Sequence, residues 1–107
     1  MNTRSQADGS ETAKRRRSTN LPLGRLVSTP GAIAALAKAG QDPLELIKRH
    51  RAGDWGEVAQ EDSAANSRAV DQGERILSPY RIKGGVKPWI ITEADRSATT
   101  ILLPEEY

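Results

Sequence analysis

Three sets of side chains in this 107-residue sequence are of types that do chemistry. His50 is the only imidazole, and its ordinary pKa makes it the natural proton carrier near neutrality. A Ser-His-Asp catalyst would need it as base, yet no Gly-x-Ser-x-Gly elbow exposes a nucleophile. His50 lies among Lys48, Arg49 and Arg51 at the end of a predicted helix, so the expectation is a cation that complements the helix dipole. Glu93 and Asp95 stand two apart at the exit of a predicted strand, a spacing that lets them share a divalent cation with a carboxylate such as Asp62. Solvation, or pairing with Arg96, is the competing expectation. The third set is basic: Lys14, Arg15, Arg16 and Arg17, and again Lys48, Arg49 and Arg51, side chains that attract phosphate. Neither Gly84-Gly85 nor Gly53-x-x-Gly56 meets the phosphate-cradle pattern. The sequence therefore predicts no catalytic residue, no metal ligand and no cofactor.

The elements that must position these residues are marked by caps and by period. Thr29-Pro30 starts a helix, with Ala32, Ile33, Leu36 and Ala37 at helical spacing and Gly40 as its left-handed exit. Asp42-Pro43-Leu44-Glu45 starts a second helix at once, with Leu44 and Ile47 on its buried side. Asp54, with Glu57 three residues on, predicts a third start. That helix would run to Gln72 with a break near Gln60 to Ser63, and bury Trp55, Val58, Ala65 and Ala69. After Gly73 the period becomes two. Ile76, Ser78, Tyr80 and Ile82 share one face, Lys83-Gly84-Gly85 turns the chain, residues 86–93 return, and residues 99–103 form a third strand. Pro79 and Pro88 lack ladder donors and are expected at an open edge or bulge. Leu21-Pro22-Leu23-Gly24-Arg25-Leu26-Val27 reads as an extended segment lying over the core. The fold class is α+β: two or three short helices on a three-stranded antiparallel meander.

Composition limits the rest. The chain has no Cys and no Phe, two Trp and two Tyr, which allows one small core, and Trp55 and Trp89 are expected to supply much of it. Residues 1–20 carry a net charge of +3 and the remainder −1. Their low hydrophobicity predicts a disordered basic tail ahead of a single domain over residues 21–107. The lack of Cys suits a reducing compartment, hence the cytosol, and neither an apolar signal core nor a membrane-length run is present.

At Gly53-Asp54-Trp55-Gly56, and from Trp89 through Thr92-Glu93-Ala94-Asp95-Arg96-Ser97-Ala98-Thr99-Thr100 to Pro104-Glu105-Glu106-Tyr107, the chain resembles short bacterial proteins carried on plasmids and genomic islands. Proteins of that group are labelled plasmid-related, and sometimes the modification subunit of a type I restriction endonuclease. The resemblance covers residues 21–107 and implies an association with mobile elements or restriction-related systems. The methylase that the label would imply needs a methyl-donor turn and an Asn-Pro-Pro-Tyr-like tetrapeptide. Ser78-Pro79-Tyr80 is one Pro short and lies inside a predicted strand, which argues against that activity.

The functional expectation is a cytosolic accessory protein that binds a macromolecule. A polar loop held between strands is where small domains keep working groups, so the expected protein-binding residues are Glu93, Asp95, Arg96, Ser97 and Thr99, with neighbouring Asp54 and Trp55. The alternatives are nucleic-acid binding through Lys14 to Arg17 and Lys48, Arg49 and Arg51, and a metal-dependent hydrolase or nuclease using Glu93 and Asp95, with His50 as a further candidate.

Overall fold

A computed structural model describes residues 20–107 of the chain. The expected disordered basic tail, with Lys14, Arg15, Arg16 and Arg17, lies outside the described residues apart from Asn20.

The order of elements is β1 (Arg25–Ser28), α1 (Pro30–Ala39), α2 (Pro43–Arg51), α3 (Gln60–Gln72), β2 (Ile76–Pro79), β3 (Trp89–Thr92) and β4 (Ala98–Leu102), closed by a 3-10 turn over Pro104–Glu106. The caps act as their chemistry requires. Thr29 accepts from the Ala32 N–H, Pro30 occupies the first turn, and Gly40 leaves α1 with φ 67°. The Asp42 carboxylate accepts from the Leu44 N–H at the start of α2. The third start is a correction: Asp54 bonds the Gly56 N–H in a tight turn, and α3 begins five residues beyond the expected first turn, at Gln60, behind Ala59.

The sheet corrects the three-stranded antiparallel meander. It has four strands in the order β1-β4-β3-β2, and β1 runs parallel to β4 with Leu26 opposite Thr99 and Ser28 opposite Ile101. The meander β2-β3-β4 is present within it as two antiparallel pairs. The segment expected to lie over the core supplies the added strand because Gly24 brings it into close approach: a Cβ there would overlap the carbonyls of Arg96 and Ser97. At the far hairpin, Ile82 N–H donates to the Val86 carbonyl at 2.9 Å across Lys83-Gly84-Gly85.

Paired residues share a face, so Ser28, Ile101, Ile90 and Ser78 form one row, with Leu26, Thr99, Thr92 and Ile76 beside it. On these rows pack two apolar groups. One joins Ala32, Leu36, Leu46 and Ile47 of the helices to Tyr80, Ile82, Ile90 and Ile101; the other joins Leu21, Trp55, Ala69 and Ile76. Burial corrects several expectations. Ile33 and Leu44 are more than half exposed, Ala65 is exposed, and α2 turns Leu46, Ile47 and His50 inward. Trp89 is only half-buried, edge-on to Tyr107 at 5.6 Å between ring centroids.

Candidate functional site

His50 is not the exposed cation expected at the end of α2. It is fully buried, because residues 46, 47 and 50 recur at helical spacing on the face that α2 turns to the sheet. Its Nδ1 meets the Ser78 hydroxyl and its Nε2 lies 2.8 Å from the Thr92 hydroxyl. Thr92 contacts Thr99 at 2.8 Å, and Thr99 donates to the Leu23 carbonyl at 2.8 Å. Ser78, Thr92 and Thr99 are buried too. The indole ring of Trp55 stands edge-on to the imidazole, 5.7 Å between centroids.

The direction of this row follows from its last acceptor. A carbonyl only accepts, so the proton of Thr99 goes to Leu23, that of Thr92 to Thr99, and Nε2–H donates to Thr92. In a neutral imidazole Nδ1 is then the acceptor of the Ser78 proton. Burial, and secondly the charge of Arg96, push its pKa down to about 4. A serine hydroxyl against an imidazole nitrogen is the first half of a nucleophile and base pair, but both groups are sealed from solvent and substrate. The row is a satisfied interior network that ties β2, β3 and β4 to the segment entering β1.

The loop between β3 and β4 is largely engaged in holding the domain together. Arg96, at φ 62°, donates to the carbonyls of Glu74 at 2.7 Å, Ala69 at 2.9 Å and Glu93 at 3.2 Å, so its guanidinium closes the C-terminal end of α3. Asp95 accepts from the Ser97 N–H at 3.0 Å, and hydrogen bonds from Ser97 hold its carboxyl below the usual range. Glu93 lies 3.8 Å from Arg75 in a half-exposed ion pair. Thr99 and Trp55, expected at a binding surface, are buried and offer a partner nothing. Glu93, Asp95 and Ser97 remain at or near the surface, with Asp54, whose carboxylate takes two bonds from Arg49 at 2.6 and 3.3 Å.

The metal reading is not supported by the geometry. Among the described residues no group of three or more His, Asp or Glu side chains is placed to hold a metal ion. Asp62 sits in the first turn of α3, whereas Glu93 and Arg96 lie beside its last turn, roughly 10 Å further along the axis at 1.5 Å per residue.

The basic cluster divides. Arg49 is committed to Asp54 and stacks over the Tyr80 ring at 4.8 Å, while Tyr80 donates to the Asp54 carbonyl at 2.6 Å. Lys48 and Arg51 are exposed, and the Arg51 carbonyl accepts from the Leu21 N–H at 3.1 Å. The chain therefore enters the domain at the basic end of α2.

A feature that the sequence reading missed is the outer side of β1. Leu26 is 50 % and Val27 42 % exposed. Next to Ser28 opens a groove of about 260 Å³ lined by Ile33, Leu36, Ala37, Gln41 and Pro43. The available signal was Leu26-Val27 itself, an apolar pair flanked by Gly24 and by a helix cap, which marks a short strand.

No family model, no curated protein and no solved structure matches this chain. Among the described residues no helix is long and apolar enough to cross a membrane.

Proposed function

We propose that this chain is a binding module and not a catalyst, and that it engages a protein partner by strand addition along β1. The observation that carries the reading is the pairing of an unfinished sheet edge with an apolar groove, two features that together suit an extended polypeptide. Main-chain groups along the edge give affinity and the groove selects a side chain. Asp95 and Ser97 flank this surface, since the Ser97 carbonyl accepts from the Arg25 N–H at 3.0 Å. The sealed state of His50 and Ser78 supports the non-catalytic half of the proposal. The resemblance to plasmid-borne and restriction-related proteins extends it to an accessory role in such systems.

A photo-crosslinking residue at Val27, in the full chain in its host, is expected to trap a polypeptide, and the same residue at Lys83 is not. Equal trapping at both positions, or none at Val27, overturns the proposal.

A second reading, nucleic-acid binding, is favoured by the Leu21–Arg51 contact, because it brings the start of the described chain, which follows the basic sequence Lys14 to Arg17, to the end of α2 that carries Lys48 and Arg51. Affinity for duplex DNA that falls steeply with salt, and that is lost on deleting residues 1–19, is the expected outcome. Salt-independent binding, or none, removes this reading.

A further inference from the structure

We propose that the polypeptide received by β1 is the β1 of a second copy of this chain, paired antiparallel about a two-fold axis at Val27. This deepens the strand-addition reading and rests on it. Arg25 N–H donates to Ser97 and Thr29 N–H to Ile101, both at 3.0 Å, so residues 25, 27 and 29 turn their main-chain groups toward β4. By the alternation of a strand, the N–H and C=O of Leu26 and Ser28 point outward, and no described residue bonds them. An antiparallel copy centred on Val27 sets Leu26 against the second copy's Ser28, and Ser28 against its Leu26. Both residues carry outward donors and acceptors, so the register completes roughly four ladder bonds.

The side chains fit the same register. Leu26 lies in the row of Thr99 and Thr92, on the helix-covered face. The residue opposite it, Ser28, lines the groove, so each exposed Leu26 enters the groove of the other copy. Arg25 forms no ion pair among the described residues. It comes to stand across from the second copy's Thr29, and in each chain the Thr29 hydroxyl holds the Glu106 carboxylate. A guanidinium thus meets a carboxylate at both ends of the contact. Residues 1–19 offer no rival occupant for the groove, since they contain no apolar side chain larger than Ala except Met1. Pairing stops at two because it is isologous, each copy using the same β1 edge.

Sedimentation velocity of the full chain tests this. The expected mass rises from 11.6 kDa toward twice that value across the micromolar range, as suits a contact at the small end of interface sizes. Leu26→Lys, which sets an ammonium in the groove, is expected to weaken association at least about tenfold. Arg25→Glu, which opposes like charges, weakens it several-fold. Leu26→Pro removes one outward donor without touching the ladder to β4, and thermal denaturation at dilute concentration verifies that each variant folds. A chain that stays at 11.6 kDa at every concentration, one that grows past a dimer, or a dimer indifferent to Leu26→Lys and Arg25→Glu overturns the proposal. If the Val27 cross-link traps only a different protein, self-pairing falls and strand addition stands. If it traps nothing and the chain is monomeric, both fall.

Discussion

The two outer strands of the sheet are finished in opposite ways. Along β2 the groups pointing away from the sheet belong to Leu77 and Pro79. The Leu77 carbonyl accepts from the Asn66 amide at 2.8 Å, the Pro79 carbonyl accepts from the Glu57 N–H at 2.8 Å, and Pro79 has no N–H to leave unpaired. The loop reaches that carbonyl because Gly56 sits at φ 74°, where a Cβ would overlap the Pro79 oxygen. An arginine and a lysine, Arg81 and Lys87, pair with Glu57 at 2.8 and 3.2 Å to hold the loop down. Along β1, whose one charged side chain is Arg25, no described residue bonds the outward main-chain groups of Leu26 and Ser28. Proteins usually blunt exposed edges with proline, charge or a cover; along β2 both outward carbonyls are covered, and along β1 neither is among the described residues. The contrast is the reason to read β1 as a surface kept available.

If the β2 edge is sealed by close approach, Gly56→Ala is expected to cost about 3 kcal/mol or more in urea denaturation, from steric overlap combined with a left-handed backbone. A loss under about 1 kcal/mol would show that the loop only rests against the strand.

Acid acts on the network that links the two edges through Ser78 and Leu23. The pKa of His50 is about 4 in the fold against 6.5 for the free side chain, so the unfolded chain binds the extra proton. Stability is complete above pH 6.5 and falls as pH drops toward 4, by about 3 kcal/mol in all. The Glu106 carboxylate, held low by Thr29 and by the Leu103 and Gly31 N–H groups, loses its contribution in the same direction at lower pH. Denaturation midpoints between pH 7 and 4 give the slope, and His50→Gln is expected to flatten it. A parent protein with no loss of stability across that window would contradict the buried neutral imidazole.

Asn66→Ala leaves the Leu77 carbonyl without its partner. It is expected to cost about 1–2 kcal/mol and to let the protein grow past a dimer in light scattering, since a second edge is then open. Leu26→Lys is the smallest perturbation to the isolated fold, within about 0.5 kcal/mol of the parent in dilute thermal melts. A large effect there would mean that β1 is packed rather than presented.

The legibility of these features in the sequence follows the range of the interactions that make them. Thr29-Pro30, Gly40 and Asp42-Pro43 specify α1 and α2 through contacts within four residues, and the alternation around Lys83-Gly84-Gly85 specifies the hairpin, so these are readable. The start of α3 was misread because Asp54 and Glu57 have the spacing of a capping box while Glu57 is engaged by Arg81 and Lys87. The pairing of β1 with β4 joins residues more than seventy positions apart, and its one local trace is Gly24. His50 is hidden by its charged neighbours; the signal lay in Leu46, Ile47 and His50 at helical spacing, together with the hydroxyls Ser78, Thr92 and Thr99 at inward strand positions. Arg96 reads as a surface cation because the carbonyls it closes, those of Ala69 and Glu74, carry no sequence signature.

The hydroxyl row ends on the Leu23 carbonyl, which has no proton to return. Its polarity is thereby set once for all its members: a reversed arrangement would send the Thr99 proton to Thr92 and leave the Leu23 carbonyl without a donor. The interior holds a one-way wire of donors from β2 to Leu23, two residues ahead of β1, and so ties down the entry of that strand from within.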